Sequence, residues 1–497
     1  MKRVIIIGGG ITGLAAAHRL LERSRESGKQ VDVTVLEAAT RVGGIVRTGE
    51  RDGFLLEHGP DSFISEKPAA LALVKRLGLE SRLIETNQNF RRSFIVRDGQ
   101  LLRVPEGFQL LAPSRWWPFV QSDIFSWSGK ARMALDLFLP RRRLNGNNAD
   151  ESLAEFVRRR LGSEALERMA QPMVGGIYTA DPERLSLLAT MPRFLDMERE
   201  HRSLIRALRK QNRLTVSREP ESESSLGTSG ARYSLFLSFD RGMQVLTDSL
   251  AERISSLASP LSTVASVVQA VIRVNTTIES ITLEEEVSDD GRSQKWKLTT
   301  SDHETLMADA ICLALPAYAS SHLLGTVDSE LASELSEISY ASSATINLGF
   351  RREDIPHPLD GFGFVLPFIE KRSLIACTFS SVKFAGRAPA GQVLLRGFVG
   401  GALQPELLDL EEDKLLARVL GDLRDLLGIE RAPLFSEVTR WERSMPQYHV
   451  GHLERVKRIE ARLAALPTLF LAGNAYSGLG IPDCIRSGEA AADRIYV

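Results

Sequence analysis

A glycine-rich turn near the N-terminus is the feature that most limits the folds open to this chain. The apolar residues 4–7 (VIII) precede Gly8-Gly9-Gly10-Ile11-Thr12-Gly13, which fits G-x-G-x-x-G, and a helix is predicted from about Thr12 to Glu26. Residues 31–37 alternate between apolar and polar side chains and end at Glu37, 24 residues after Gly13. This order predicts a Rossmann-type dinucleotide-binding domain; a glycine-rich turn without a ligand is the alternative.

Each glycine of the turn has a separate physical role in such a domain. Gly8 permits the tight turn, Gly10 lets the backbone approach a pyrophosphate, and Gly13 lets the helix pack closely on the strand. The helix N-terminus offers free N–H groups and a partial positive charge to the phosphates. Glu37 is expected to accept hydrogen bonds from ribose hydroxyls and to repel a 2′-phosphate, so NADP is not expected here.

Composition and charge exclude several classes of protein. The chain has 497 residues, 43% hydrophobic and 25% charged, which is typical of a globular protein with two or three domains. Lys and Arg total 62 against 63 Asp and Glu, and this net charge of −1 argues against nucleic-acid binding. No apolar run approaches the roughly 18 residues of a membrane-spanning helix or resembles a signal peptide. The three widely separated cysteines argue against a disulfide framework or metal site and favour a reducing cytoplasm.

The rest of the chain divides into segments of different character. A β-hairpin is predicted at 93–102 with its turn at Asp98-Gly99, and residues 108–205 are expected to be helical. Short apolar strands recur between 264 and 440 and predict a mixed sheet. They follow a polar stretch at 217–230 that is expected to be a mobile loop or a disordered insert. One more strand at 469–474, a glycine-rich turn and a helix from Pro482 follow.

A second glycine motif indicates which dinucleotide is bound. Gly43-Gly44 follows Glu37 by six residues, an arrangement that resembles flavoproteins of the amine oxidase and phytoene desaturase superfamily. The C-terminal strand, turn and helix also fit that superfamily, in which the last helix points its N-terminus at the flavin and would stabilise its anionic reduced form. FAD is therefore the expected cofactor. Cys484 lies in a motif unlike that of the covalently flavinylated amine oxidases, so the FAD is expected to be noncovalent.

Further short motifs occur along nearly the whole chain. They are Gly59-Pro60-Asp61-Ser62-Phe63, Ser128-Gly129-Lys130-Ala131-Arg132, Gly175-Gly176-Ile177-Tyr178-Thr179-Ala180-Asp181, Leu185-Ser186-Leu187, His201-Arg202-Ser203, Met445-Pro446-Gln447-Tyr448-His449-Val450-Gly451-His452 and Gly480-Ile481-Pro482-Asp483-Cys484-Ile485. In this order they resemble the oxygen-dependent protoporphyrinogen/coproporphyrinogen oxidase family, and its bacterial, coproporphyrin-forming branch in particular.

The resemblance implies an α/β fold (α+β mixed) in three parts. A Rossmann-type FAD-binding domain would comprise residues 1–90 with about 240–285 and 430–497. A mixed-sheet substrate-binding domain would comprise 91–112, 205–239 and 286–429. A helical domain at 113–204 would face a membrane or a partner.

The resemblance also implies a set of FAD contacts. They fall on Gly8, Gly9, Gly10, Ile11, Thr12, Gly13, Glu37, Ala38, Gly43, Gly44, Ile45, Gly59, Pro60, Asp61, Ser62, Ile278, Trp441, Asn474, Leu479, Gly480 and Ile481. For three of these positions a structural role is the alternative. Ile278 and Trp441 could be packing residues, and Gly59-Pro60 could be only a turn.

The reaction implied is the six-electron oxidation of coproporphyrinogen III to coproporphyrin III in heme biosynthesis. In this family FAD accepts a hydride at N5 in each of three steps, and O2 reoxidises the flavin to give H2O2. The protein needs to hold a methylene bridge over N5 and exclude water, so no catalytic side chain is named. Protoporphyrinogen IX is the alternative substrate; a flavin amine oxidase, a carotenoid desaturase and a flavin-bearing scaffold without turnover are the rival functions.

The substrate carries propionates, so the pocket is expected to offer cations. Arg91, Arg92 and Arg97 flank the hairpin, and Ser93 stands where plant and animal relatives carry an arginine. Surface arginines are the alternative interpretation. Gly175 and the apolar residues Phe364, Val365 and Phe379 lie in segments that enclose the tetrapyrrole in relatives, and the last three are equally plausible as core residues.

An aromatic segment raises the question of partners. The segment has three alternative roles: an interfacial patch, the core of the helical domain, or a docking face for the next heme-pathway enzyme, a ferrochelatase. Its aromatic residues are Trp116, Trp117, Phe119, Phe125 and Trp127. We expect a cytoplasmic protein, a monomer or homodimer, with weak contact at most to the inner face of the membrane. No metal site is expected, because the pair His449 and His452 lacks a third ligand.

Overall fold

The computed structural model describes residues 1–142, 150–216, 236–257, 268–288 and 291–497, so the polar stretch at 217–230 lies outside the described residues. The strands are β1 (Lys2–Ile7), β2 (Val31–Leu36), β3 (Thr48–Arg51), β4 (Phe54–Glu57), β5 (Phe63–Ile64), β6 (Leu83–Glu85), β7 (Phe94–Arg97), β8 (Gln100–Arg103), β9 (Phe108–Gln109), β10 (Ala112–Pro113), β11 (Phe236–Phe239), β12 (Val268–Arg273), β13 (Ile278–Ser288), β14 (Gly291–Thr300), β15 (Thr305–Ala308), β16 (Ala310–Leu313), β17 (Tyr340–Arg351), β18 (Gly363–Val365), β19 (Leu374–Phe379), β20 (Gln392–Gly400), β21 (Phe435–Pro446) and β22 (Leu469–Leu471).

The α-helices of the described residues follow the same chain order. They are α1 (Ile11–Ser27), α2 (Pro68–Leu77), α3 (Trp116–Gln121), α4 (Trp127–Ala134), α5 (Leu153–Arg160), α6 (Ser163–Ala165), α7 (Gln171–Tyr178), α8 (Leu187–Thr190), α9 (Pro192–His201), α10 (Leu204–Val216), α11 (Gln244–Leu257), α12 (Ala317–Leu324), α13 (Ser329–Ser336), α14 (Ser380–Lys383), α15 (Glu412–Leu427), α16 (His452–Leu463) and α17 (Ile481–Tyr496).

A parallel sheet brings together parts of the chain that are far apart in sequence. Its strands lie in the order β12-β2-β1-β16-β22. Val4 and Ile6 pack on the side of α1 and α17, whereas Ile5 and Ile7 pack on the side of β13–β15, α12 and α13. Because both faces are covered, β1 is apolar without alternation. The predicted Rossmann-type arrangement of β1, α1 and β2 is confirmed.

A larger mixed sheet forms the second layer of the fold. Its strands lie in the order β21-β17-β20-β19-β18-β7-β8, and α15 covers one face through a shared apolar core. The opposite face meets the segment after β4, where Thr345 Oγ1 donates to the carbonyl of His58 at 2.8 Å. The predicted hairpin is β7–β8, and its turn residues Asp98 and Gly99 have φ angles of +51° and +74°.

Helices α3 to α10 surround a separate apolar core. Phe119 and Phe125 are buried in it, whereas the Trp117 and Trp127 side chains are 71% and 73% exposed. The aromatic segment therefore divides, with its phenyl rings in the core and two of its indoles at the surface. Across the described residues, no helix combines the length and apolar character needed to cross a membrane.

The structure shifts several of the predicted domain boundaries. β16 belongs to the parallel sheet and α12–α13 pack beneath it, although 286–429 was assigned to the substrate-binding domain. β21 belongs to the seven-stranded sheet, although 430–497 was assigned to the FAD-binding domain. α10 packs in the helical core and β11 pairs with β5 and β6, so neither joins the substrate-binding sheet. Apolar strands of the two sheets have similar sequences, so the sequence does not show where the chain passes from one sheet to the other.

Candidate active site

The glycine-rich turn is shaped to admit a phosphate group. Gly8 has φ +109°, and a Cβ on Gly13 would lie 1.9 Å from the Gly8 carbonyl oxygen. At Gly10, by contrast, an added Cβ would meet no atom within 4 Å. Gly10 is the N-cap of α1, and no side chain caps the N-terminus of this helix. The open approach to the helix N-terminus, next to Ile11 and Thr12, therefore fits the pyrophosphate of FAD.

The second glycine motif packs directly on the first. The Gly43 N–H donates to the Gly9 carbonyl at 2.8 Å, and Gly43 and Gly44 have φ angles of +103° and +56°. Arg41 donates to the Gly44 carbonyl at 2.6 Å and holds the loop. The next residue, Ile45, is 42% exposed. A large apolar side chain exposed beside this turn suits a surface that a bound cofactor covers.

Glu37 and Ile278 lie at the end of the turn where the adenosine is expected. The Glu37 carboxylate accepts the N–H groups of Gly9 at 2.7 Å and Ala39 at 2.8 Å, which holds it at the turn. The Glu37 carbonyl accepts the N–H of Thr276, two residues before Ile278. The Ile278 side chain is buried in the core beneath the parallel sheet, so the packing alternative holds for that side chain. Ala38 is exposed beside Glu37.

The segment Gly59–Ser62 lies between the second glycine motif and the seven-stranded sheet. A Cβ on Gly59 would be 1.7 Å from the Ile45 carbonyl oxygen, so only glycine fits there. The Gly59 carbonyl accepts a hydrogen bond from Arg396 of β20. Trp441 of β21 donates through Nε1 to the preceding carbonyl, that of His58, at 2.8 Å. The segment is thus fixed from both sides, by the glycine motif and by the sheet.

A largely buried ion pair holds the same segment to α14. Lys383 Nζ donates to Asp61 Oδ2 at 2.8 Å, and Ser62 Oγ donates to Asp61 Oδ1 at 2.6 Å. Burial by itself would raise the pKa of Asp61, but Lys383 and Arg396 outweigh burial and hold that pKa far below its ordinary value. Asp61 is therefore an anion that ties this segment to α14 rather than a proton donor.

The C-terminal loop closes the other end of the site. Asn474 follows β22, and Leu479 and Gly480 lead into α17, for which Gly480 is the N-cap. Ile481 begins the helix and is buried against the core of the parallel sheet. No side chain caps this helix, so its N-terminal N–H groups are suited to an anionic ligand edge.

One face of the seven-stranded sheet borders the space between these segments. By strand register, four side chains share this face: Val365, Ala376, Thr378 and Phe398. All four are partly exposed although they lie on internal strands. Side chains that stay partly exposed in the middle of a sheet are suited to line a ligand cavity. These apolar and hydroxyl side chains would line it.

Two predicted substrate residues lie on the wrong face of that sheet. Phe364 and Phe379 are fully buried in the core beneath α15, with ring centroids 6.0 Å apart. Because side chains alternate along a strand, Val365 points the opposite way and remains a lining candidate. Next to Gly175 in α7, Gly176 faces Val365, with a hypothetical Cβ 3.8 Å from Val365 Cγ1.

The arginines near the hairpin differ in their hydrogen bonds. Arg92 donates to Asp360 at 3.1 Å, and Arg97 donates to the Asp123 carbonyl, so both are held by the protein itself. Arg91 Nε and Ser93 Oγ are buried without a hydrogen-bond partner. An unpaired buried donor is costly, and both atoms lie in the segment just before β7.

Three residues near the site carried no signal of their own in the sequence. Lys383 and Arg396 lie more than 300 positions from their partners Asp61 and Gly59, so no local pattern pairs them. Tyr448 lies within the motif 445–452, which the resemblance singled out without assigning a role. Within the described ranges, no group of three His, Cys, Asp or Glu side chains is placed to hold a metal ion.

Comparisons with known proteins identify the family. The family model for flavin-containing amine oxidoreductases matches residues 11–496. The chain is 35% identical to coproporphyrinogen III oxidase of Bacillus subtilis, covering 99% of this chain and 97% of the relative. It is 36% identical to coproporphyrinogen III oxidase of Propionibacterium freudenreichii, covering 99% and 90%.

A solved structure extends the agreement to the fold. A protein from Exiguobacterium sp. 255-15, provisionally named a protoporphyrinogen oxidase, superposes with a TM-score of 0.83 at 30% identity, covering 100% of this chain and 98% of that one. FAD is accordingly the cofactor, and the geometry of the two glycine motifs is compatible with it. The chain belongs to the flavin-containing amine oxidoreductase family, in its branch of coproporphyrinogen and protoporphyrinogen oxidases.

Proposed function

We propose that this enzyme catalyses the FAD- and O2-dependent six-electron oxidation of coproporphyrinogen III to coproporphyrin III in heme biosynthesis, with H2O2 as by-product. The observation that carries the proposal is the full-length similarity to proteins named coproporphyrinogen III oxidase, at up to 36% identity. The open approach to Gly10 and the partly exposed sheet face support it, because the first suits a phosphate group and the second a large apolar ligand.

The residues of this chain would bind and orient rather than react. FAD supplies the hydride acceptor when bound. The backbone at Gly10 would hold its phosphates, and the Glu37 carboxylate its ribose. Val365 and Phe398 would enclose the macrocycle and exclude water. Arg91, with its unpaired buried Nε, would meet a propionate.

The substrate assignment is tested by side-by-side aerobic turnover. Coproporphyrinogen III and protoporphyrinogen IX are supplied at matched concentration, and porphyrin fluorescence and H2O2 are recorded together. We expect coproporphyrinogen III to be oxidised faster, since four carboxylates gain more from a cationic pocket than two. A preference for protoporphyrinogen IX would reverse the assignment, and flavin reduction by a polyamine or carotene alone would replace it.

A pair of arginine variants tests the pocket. Arg91→Leu should raise the KM for coproporphyrinogen III by about tenfold, the effect of losing one charge-assisted hydrogen bond. Arg92→Leu is the matched control, because Arg92 is already paired with Asp360. Equal effects in the two variants would show that the propionate is bound elsewhere.

We further propose that the protein works in the cytoplasm and meets membrane surfaces only weakly through its helical part. Trp117, Trp127 and Phe138 are exposed there, as amphipathic contact would require. The neighbouring cations are occupied, since Lys130 donates to the Val120 carbonyl at 2.7 Å and Arg132 donates to carbonyls of α5. Little positive charge is left to attract anionic lipid, which favours weak binding.

A further inference from the structure

The loop between β22 and α17 is held by side chains from two different elements. From α17, Ser487 Oγ accepts the Gly473 N–H at 3.0 Å and Arg486 donates to the Ser477 carbonyl at 2.8 Å. The other attachments come from residues 447–452, which we call the bridging segment. It follows β21 and ends at the first residue of α16.

Tyr448 makes the central attachment. Its hydroxyl donates to the Asn474 carbonyl at 2.6 Å and accepts the Gly478 N–H at 2.8 Å. One oxygen atom thus joins two backbone groups four residues apart and fixes the width of the loop. The Tyr448 side chain is 2% exposed, so water does not compete for either bond.

His452 supports the same loop and the tyrosine. The two rings are stacked, with centroids 4.0 Å apart and planes 10° from parallel. His452 Nε2 lies 3.1 Å from the Tyr476 carbonyl, which requires a proton on Nε2. Burial lowers the pKa of His452 to about 4, so the ring is neutral at neutral pH and its proton is on Nε2.

The loop leads directly to the flavin end of the site. Gly478 has φ +103°, and a Cβ there would be 2.4 Å from Asp483 Cγ in the first turn of α17. Asp483 is in turn paired with Lys67 at 2.5 Å. The position of Gly478 therefore determines how the N-terminus of α17 is presented.

We infer that Tyr448 is a positioning residue that holds the loop Asn474–Gly480 in the conformation that receives the flavin. The inference rests on the proposed placement of the flavin at Asn474 and Leu479–Ile481. Tyr448 would not touch the reacting atoms. It would act by fixing the loop before FAD binds, which lowers the cost of ordering on binding.

The test is Tyr448→Phe, which removes the hydroxyl and keeps the ring stacked on His452. Tyr340→Phe is the matched control, because the Tyr340 hydroxyl also accepts one backbone N–H, that of Ala317 at 2.8 Å, but this bond is at the first residue of α12 rather than in the loop. Hydrogen exchange of a peptide covering 473–480 is measured in the apoproteins. FAD dissociation constants and the visible spectrum of bound FAD are measured next. None of the three readouts uses a porphyrinogen, so the result is independent of the substrate.

In Tyr448→Phe we expect exchange at Gly478 to accelerate about tenfold and the FAD dissociation constant to rise about tenfold, with a shifted flavin spectrum. Tyr340→Phe should leave all three unchanged. Unchanged exchange in Tyr448→Phe would overturn the role of Tyr448 in holding the loop. Faster exchange with unchanged FAD affinity and spectrum would instead overturn the placement of the flavin at this loop.

Discussion

Replacing Gly10 with valine should separate cofactor binding from folding. Gly10 has φ −70° and ψ 176°, an extended conformation open to any residue, and an added Cβ meets nothing within 4 Å. The expected loss of apoprotein stability is about 1 kcal/mol, the cost of a poorer N-cap residue. The valine would fill the space through which the pyrophosphate reaches the helix N-terminus.

The expected loss of FAD affinity in Gly10→Val follows from the hydrogen bonds between the helix N-terminus and the pyrophosphate that the valine would prevent. If two backbone N–H groups lose the pyrophosphate, at about 1.5–3 kcal/mol for each charge-assisted hydrogen bond, the dissociation constant rises about 10²- to 10⁴-fold. Titration of apoprotein with FAD, followed by flavin fluorescence, measures this change, and thermal unfolding of the apoprotein measures stability.

Two other glycines provide the comparison. Gly421→Val in α15 adds the same side chain in open space away from the site and should leave FAD affinity unchanged. Gly13→Ala places a Cβ 1.9 Å from the Gly8 carbonyl oxygen and should damage the fold itself. The reasoning fails if Gly10→Val binds FAD as the wild type does, or if it unfolds as readily as Gly13→Ala.

Other predictions concern charge, thiols and surface. Lys383→Met should lower the free energy of unfolding by about 2 kcal/mol, because it removes the charged hydrogen-bond donor of the largely buried Asp61 carboxylate; urea titration measures this loss. The depressed pKa of Asp61 stabilises the wild-type fold above the carboxyl's unfolded pKa, and this contribution is lost as pH falls through the folded pKa, so the difference in stability between wild type and variant should shrink at acid pH. Burial raises the pKa of all three thiols to about 12, so native protein at pH 8 should react with Ellman's reagent only after denaturation; the thiols are Cys312, Cys377 and Cys484. Trp117→Ser with Trp127→Ser should abolish weak cosedimentation with anionic vesicles, and tight, salt-insensitive binding by the wild type would contradict the proposal.

Sequence reasoning succeeded where the chemistry is local. The turn Gly8–Gly13, the helix after it and the hairpin turn at Asp98-Gly99 each depend on neighbouring residues, and the structure places all three as expected. FAD followed from the spacing of Glu37 and Gly43-Gly44 together with a family resemblance. These features need only backbone geometry that glycine or a short polar residue permits.

Sequence reasoning failed where a residue's role depends on which face of a sheet it occupies or on a partner far away in the sequence. Phe364 and Val365 are adjacent, and only the register of β18 shows that the first lies in the core and the second faces the cavity. A strand covered on both faces has no polar alternation to reveal this. The pair Asp61–Lys383 joins residues 322 positions apart, which no periodicity records.

The bridging segment also limits how this enzyme can be recombined with its relatives. Its backbone pairs with the helical part of the chain: Ser186 N–H donates to the Tyr448 carbonyl at 2.8 Å, and Val450 N–H donates to the Arg184 carbonyl at 2.9 Å. These main-chain bonds do not depend on side-chain identity. Chimeras that exchange helical sequences of equal length should therefore assemble, whereas inserting one residue between Arg184 and Ser186 would shift the pairing and pull on the loop that Tyr448 holds.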